Sequence, residues 1–215
     1  MTDSRQALRN ARLYLVCDAL GDDFLASALR GGVDIVQLRM KSAADEDILA
    51  VARRYAVVCA EHGALFILND RPDLVVAAGA DGVHVGQDDV PVAEARRLVG
   101  AARIVGLSTH SPAQIDAAAR EPGLDYIGVG PVHATPTKPG RPAVGLELVR
   151  YAAAHAATPF FAIGGVNGDN VAAVRDAGAR RVAVVRALTA ADDPAAAAQQ
   201  LRSAIESGES VGSAR

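Results

Sequence analysis

The sequence predicts an α/β protein folded as a single (β/α)8 TIM barrel, and three observations predict it. Short apolar, β-rich runs alternate with longer Ala-rich helical stretches along all 215 residues, the pattern of parallel strands joined by right-handed crossovers. An echo recurs at Gly32-Val33-Asp34-Ile35, Gly79-Ala80-Asp81-Gly82-Val83, Gly123-Leu124-Asp125-Tyr126-Ile127 and Gly178-Ala179-Arg180-Arg181-Val182. Each copy places Gly where a helix ends and a strand begins, because Gly tolerates the left-handed conformation that terminates a helix. The third positions, 34, 81, 125 and 180, lie 47, 44 and 55 residues apart, and each interval holds two strand–helix units, so four echoes mean eight strands. Finally, no dinucleotide-binding fingerprint follows the first strand, which removes the usual signal of an open doubly wound sheet.

In chain order, strands are expected at 13–17, 33–38, 65–68, 82–85, 104–107, 126–129, 160–163 and 182–185. Helical windows fall between them, among others at 45–61, 91–99, 112–120, 146–155 and 170–177. The window at 112 opens with Ser111-Pro112, a cap followed by Pro at the first helical position. The barrel is expected over 1–206, with 207–215 as a small, polar, flexible tail. Residues 1–12 are polar and carry no apolar stretch resembling a secretion signal.

Composition excludes several function classes. Half the residues are hydrophobic and 22% are charged, enough for a sizeable core and unlike a disordered chain. A formal net charge of -3 supplies no basic field for nucleic acid or an anionic membrane, so an anionic ligand must be met by a local cluster of cations. Cys17 and Cys59 lack metal-ligand spacing and read as buried free thiols of a reducing compartment. With no run of 18 apolar residues, the expectation is a soluble, cytoplasmic protein; the sequence leaves open whether copies assemble into a homo-oligomer.

In such a barrel, function collects where strands end. The second strand runs into Gln37-Leu38-Arg39-Met40-Lys41, and alternation along a strand sends Gln37, Arg39 and Lys41 one way, into the mouth, with Leu38 and Met40 facing the helices. Two cations and an amide form either an anion clamp or an ion pair closing the rim. The third strand ends in Asn69-Asp70-Arg71-Pro72 and the fourth in His84-Val85-Gly86-Gln87-Asp88-Asp89. These strands are neighbours, so Asp70 and Asp89 can converge on one hard cation. Mg2+ suits one or two carboxylates plus phosphate oxygens. Asp88 and Asp89 also precede Pro91 and fit a helix start. The fifth strand ends in Ser108-Thr109-His110-Ser111, where Ser108 can donate to a phosphate or a ring nitrogen, while Ser111 caps the next helix. No His pair or Cys–His cluster has zinc spacing. His84 reads as packed and hydrogen-bonded; His110 and His133 stand at strand ends, open to either reading.

The sixth strand runs into Gly128-Val129-Gly130-Pro131-Val132-His133-Ala134-Thr135-Pro136-Thr137-Lys138-Pro139-Gly140. A stiff loop bearing hydroxyls and an ammonium can grip a phosphate, although the same residues also make a solvated turn. After the seventh strand, Gly164-Gly165 lets backbone N–H groups approach an oxyanion; the eighth ends at Val185-Arg186. Loops after the last two strands form the phosphate site of many barrels. One anion site at strands two to four and another at six to eight suggest two phosphorylated ligands side by side, and hence a transferase.

Six segments in order resemble the thiamine-phosphate synthase family: Gln37 to Lys41, Asn69 to Arg71, Gly82 to Asp89, Gly106 to His110, Asp125 to Lys138, and Ala162 to Val166. The resemblance implies that a hydroxymethylpyrimidine diphosphate is joined to a thiazole phosphate, giving thiamine phosphate and pyrophosphate by a Mg-assisted dissociative displacement. It assigns Gln37, Arg39, Lys41, Asn69, Ser108 and Lys138 to the pyrimidine diphosphate, with Arg39, Lys41, Lys138 and Ser108 as the catalytic set. It gives Mg2+ to Asp70 and Asp89, ranking Asp89 over Asp88. Thr135, Thr137, Gly165, Val185 and Arg186 fall to the thiazole phosphate. Two positions depart from the pattern: Arg186 stands where the family often has Ser, and His133-Ala134 replaces an aromatic-then-small pair. The rival readings are a thiazole tautomerase of the same fold family and a non-catalytic phosphate-binding barrel. Neither needs the complete set of Gln37, Arg39, Lys41, Asp70 and Asp89.

Overall fold

Every strand pairs in parallel with its sequence neighbour, and β1 closes on β8 to complete an eight-stranded barrel. The computed structural model describes residues 4–135 and 142–207. The order is α1 (Ser4–Asn10), β1 (Leu13–Cys17), α2 (Asp22–Arg30), β2 (Ile35–Leu38), α3 (Asp45–Glu61), β3 (Leu65–Asn69), α4 (Val75–Ala78), β4 (Gly82–Val85), α5 (Val92–Val99), β5 (Ile104–Thr109), α6 (Pro112–Ala118), β6 (Tyr126–Val129), α7 (Gly145–His155), β7 (Phe160–Ile163), α8 (Val171–Asp176), β8 (Val182–Val184), α9 (Arg186–Thr189) and α10 (Pro194–Glu206). Beyond Ser207 the expected tail lies outside the described residues.

The glycine echo has a structural basis at both of its marks. Gly32, Gly79, Gly123 and Gly178 all have positive φ, between 70° and 106°, as the chain turns from a helix into an even-numbered strand. Two residues on, in the first three copies, the Asp carboxylate accepts from a backbone N–H at the start of the preceding strand. Asp34 takes Leu13 N–H at 3.0 Å, Asp81 takes Phe66 N–H at 2.8 Å and Asp125 takes Val105 N–H at 2.8 Å. Barrel-bottom N–H groups that would otherwise be orphaned are thereby satisfied. Arg96 of α5 and Arg5 of α1 pair with Asp125, and Arg202 of α10 pairs with Asp34, so these carboxylates also tie helices to the barrel base. The fourth copy has Arg180 and one extra residue before β8.

Strand limits differ from expectation for local reasons. β2 begins at Ile35 because Val33 N–H still bonds the Ala28 carbonyl of α2 and Asp34 serves β1. β5 continues to Thr109, whose hydroxyl donates to the Gly128 carbonyl. β8 stops at Val184, since Val185 turns into α9 at ψ -87°.

Alternation divides the core in two. Outward residues such as Leu13, Leu15, Val36 and Leu38 pack beneath the helices. Inward residues Tyr14, Val16, Ile35, Ile67, Tyr126 and Phe161 fill the barrel, with Leu8 and Ala11 packed in the same cluster. The Val, Leu, Ile and Phe side chains among these contribute roughly 1.5–3 kcal/mol each by leaving water. Both cysteines are free and buried, as expected. Among the described residues, no helix is long and apolar enough to cross a membrane.

Candidate active site

The inward pattern changes character towards the C-terminal ends of the strands, where a cavity of about 370 Å3 opens. Gln37, Arg39 and Lys41 all line it, whereas Leu38 and Met40 pack against the helices. Asn69, Asp70, Asp89, Ser108, Thr135, Gly165, Val185 and Arg186 line the same cavity. Thr137 and Lys138 lie outside the described residues.

Asp70 is the only non-glycine residue with positive φ, 60°, among those described. Such strain persists where surrounding contacts over-determine it. Here Asn69 Nδ2 donates to Asp70 Oδ2 at 2.6 Å, Lys41 Nζ lies 3.1 Å from the same oxygen, and Asp70 N–H bonds the His84 carbonyl of β4. Burial first, then the adjacent Asp89 carboxylate, pushes the Asp70 pKa up, and the Lys41 ammonium opposes them. Next to it, Arg71 fixes the loop by paired bonds to Asp45 at the start of α3 and to Asp73. Asp89 does not cap α5, whose N-cap is Pro91; its Oδ2 accepts from Gly86 N–H at 2.8 Å and so turns back towards Asp70. Ser111 does cap α6, through Gln114 N–H. Arg39 and Arg186 face the cavity with no carboxylate partner among the described residues, leaving two guanidinium groups available to an anion.

On the other wall the loops after β6 and β7 interlock. Gly164 and Gly165 have φ of 101° and 65°, and a Cβ on Gly164 would meet Pro131 Cα at 2.5 Å, one on Gly165 His133 Cβ at 2.7 Å. Only glycine fits either position. Val132 and His133 N–H groups bond the Ile163 and Gly164 carbonyls, fixing the stretch that leads to Thr135. His133 is absent from the cavity lining, and its Nε2 is buried with no partner among the described residues; His110 is in the lining.

The cavity floor holds side chains that strand-end reasoning missed. Gln37 Nε2 donates to Tyr14 Oη at 2.7 Å, Tyr14 Oη lies 2.9 Å from Tyr126 Oη, and Tyr126 Oη lies 3.0 Å from His84 Nδ1. His84 Nε2 in turn lies 2.9 Å from Ser108 Oγ. His84 is thus packed and hydrogen-bonded, as its sequence context suggests. The tyrosines' inward positions were legible from alternation, but their meeting, 112 residues apart, was not.

A closed barrel with a cation-bearing cavity at its strand ends defines a barrel enzyme suited to a small anionic molecule. The family model described as Thiamine monophosphate synthase matches residues 13–188. The chain is 53% identical to a thiamine-phosphate synthase of Saccharopolyspora erythraea, covering 94% of this chain and 96% of that one. It is 52% identical to one of Thermobifida fusca, over 92% and 94%. A solved thiamine phosphate pyrophosphorylase from Pyrococcus furiosus superposes with a TM-score of 0.84 at 31% identity, covering 95% and 98%. The chain belongs to the thiamine-phosphate synthase family of transferases.

Proposed function

We propose that the cavity binds a hydroxymethylpyrimidine diphosphate beside a thiazole phosphate and joins them, releasing pyrophosphate and thiamine phosphate. The observation that carries this reading is the strained, half-buried Asp70, held against Asp89 and 3.1 Å from Lys41 within the wall that bears Arg39, which has no carboxylate partner among the described residues. A carboxylate pair next to cations serves a ligand that brings both negative charge and a hard cation. Among the described residues no three His, Cys, Asp or Glu side chains converge as a metal cage, so a cation here would rely on Asp70, Asp89 and its ligand's oxygens, the donor set that suits Mg2+. When bound, Mg2+ would neutralise charge on the diphosphate oxygens.

The chain's own groups account for the remaining work. Arg39, Lys41 and Lys138 hold the departing diphosphate, and their fixed charges stabilise what develops on it. Gln37, Asn69 and Ser108 orient the pyrimidine, whose amino group delocalises the positive charge left on its methylene carbon. Thr135, Thr137, the Gly165 backbone and the Val185–Arg186 turn hold the thiazole phosphate, so that the ring nitrogen stands within reach of that carbon. No side chain acts as a nucleophile.

The test is turnover by purified protein given Mg2+ and both phosphorylated heterocycles. Pyrophosphate release that requires all three components is expected. Release at an equal rate without the thiazole phosphate would indicate a hydrolase and contradict the reading, as would no release at all.

A further inference from the structure

We propose that Tyr14, Tyr126 and His84 are positioning residues whose hydrogen-bond chain fixes Ser108 as a donor and Gln37 as an acceptor towards the heterocycle, selecting an amino-substituted ring over its oxo counterpart. The proposal rests on the pyrimidine reading of the cavity and adds how that ring is discriminated.

The chain spans five strands, from Gln37 on β2 through Tyr14 on β1, Tyr126 on β6 and His84 on β4 to Ser108 on β5. Its two ends, Gln37 and Ser108, are buried polar residues at 4% and 8% exposure, so neither can turn to bulk water for a substitute partner. The rings cannot swing away. Tyr126 fills the space a side chain on Gly106 would need, and Phe161 meets both tyrosines edge-on, with centroids 5.2 Å from Tyr14 and 5.6 Å from Tyr126.

Counting protons sets the direction. Burial pushes both phenols well above their usual range, so each stays neutral with one proton to give. Tyr14 Oη accepts from Gln37 Nε2, and its own proton has one acceptor, Tyr126 Oη. The Tyr126 proton then points at His84 Nδ1, which leaves His84 protonated on Nε2 and donating to Ser108 Oγ. With the Gln37 amide presenting Nε2 to Tyr14, the opposite sense would leave the Tyr14 proton with no acceptor among the described residues, a costly arrangement. Ser108 therefore keeps its hydroxyl proton for the cavity, and Gln37 keeps Oε1. Turning the Gln37 amide over would reverse every bond in the chain, so the two ends cannot change polarity independently.

An acceptor at Gln37 and a donor at Ser108 complement an exocyclic amine next to an unprotonated ring nitrogen. An oxo ring in its lactam form presents the opposite pair, a carbonyl next to an N–H, and meets mismatched partners at both ends. Sites built on such pairs reject the mismatched analogue strongly, because buried groups are left unpaired.

Two measurements test this. The first is 15N NMR of the ligand-free protein, with His84 assigned by its loss in His84→Gln. A ring protonated on Nε2 alone is expected; protonation on Nδ1, or on both nitrogens, overturns the proposal. This readout does not depend on turnover, so it separates failure of the chain from failure of the pyrimidine reading. The second is Tyr126→Phe, which keeps the ring and removes the link. Its preference for the amino over the oxo pyrimidine diphosphate, taken as a kcat/KM or a Kd ratio, should fall by about tenfold or more while affinity for the thiazole phosphate is unchanged. An unchanged preference, or equal losses for both substrates, overturns it.

Discussion

Gly164→Ala puts the interlock between the β6 and β7 loops under direct strain. The backbone there has φ 101°, which costs a residue bearing a side chain about 1–3 kcal/mol. The added Cβ would lie 2.5 Å from both Pro131 Cα and Pro131 Cβ, an ångström inside a comfortable carbon contact. Because the obstacle is backbone, relief requires moving the loop, and overpacking of this kind costs about 1–3 kcal/mol more. The sum, about 2–6 kcal/mol, lowers Tm by roughly 4–24 °C for a chain of this size. Gly63→Ala is the control, since φ there is also positive, 68°, but no atom lies within 4 Å of the new Cβ. Thermal unfolding followed by circular dichroism compares the two variants. Equal Tm losses in both would refute the packing argument. The moved loop should also raise the KM for the thiazole phosphate in Gly164→Ala alone.

Asp70→Asn is expected to lose pyrophosphate release yet be at least as stable as the parent at pH 7. Its folded pKa lies above the ordinary 3.8, so the folded state holds the proton more tightly than the unfolded chain, and stability falls as pH rises through that interval. Asn removes the cost and adopts positive φ readily; a clear Tm loss would contradict this. Asp125→Ala strands Arg96 and the Val105 N–H at the barrel base, and a loss of about 3–5 kcal/mol in urea unfolding is expected. Arg186→Ala should raise the thiazole-phosphate KM with little change in kcat, and an unchanged KM removes Arg186 from the site. In steady-state kinetics Lys138→Ala should depress kcat more than Thr135→Ala does, if Lys138 meets the departing diphosphate.

What the sequence revealed followed from short-range rules. α3 matches its expected window at both ends, and all four echo glycines terminate helices with positive φ. Alternation from Gln37 to Lys41 was enough to send three side chains into the cavity. Helices α1, α2 and α10 were not singled out. α1 is a seven-residue polar segment whose one buried side chain is Leu8, and its helicity depends on packing at the barrel base. α10 carries a start signal, Asp193-Pro194, with the Asp193 side chain accepting from Ala196 N–H, and its buried Ala198, Leu201 and Ile205 fall at helical spacing, so its signals were present in the sequence. The strain at Asp70 and the chain from Gln37 to Ser108 were illegible for a different reason. Both arise when the barrel closes and brings distant strands together, and nothing local to Tyr14 names Tyr126 as its partner.

The carboxylate pair at the mouth is tested most directly by calorimetric titration of pyrophosphate into the ligand-free protein, with and without Mg2+. In the parent protein Mg2+ should tighten binding by about tenfold or more, about 1.4 kcal/mol. In Asp70→Asn/Asp89→Asn that gain should vanish, while the weaker Mg-free binding through Arg39 and Lys41 persists. A Mg2+ effect of undiminished size in the double variant would contradict the assignment.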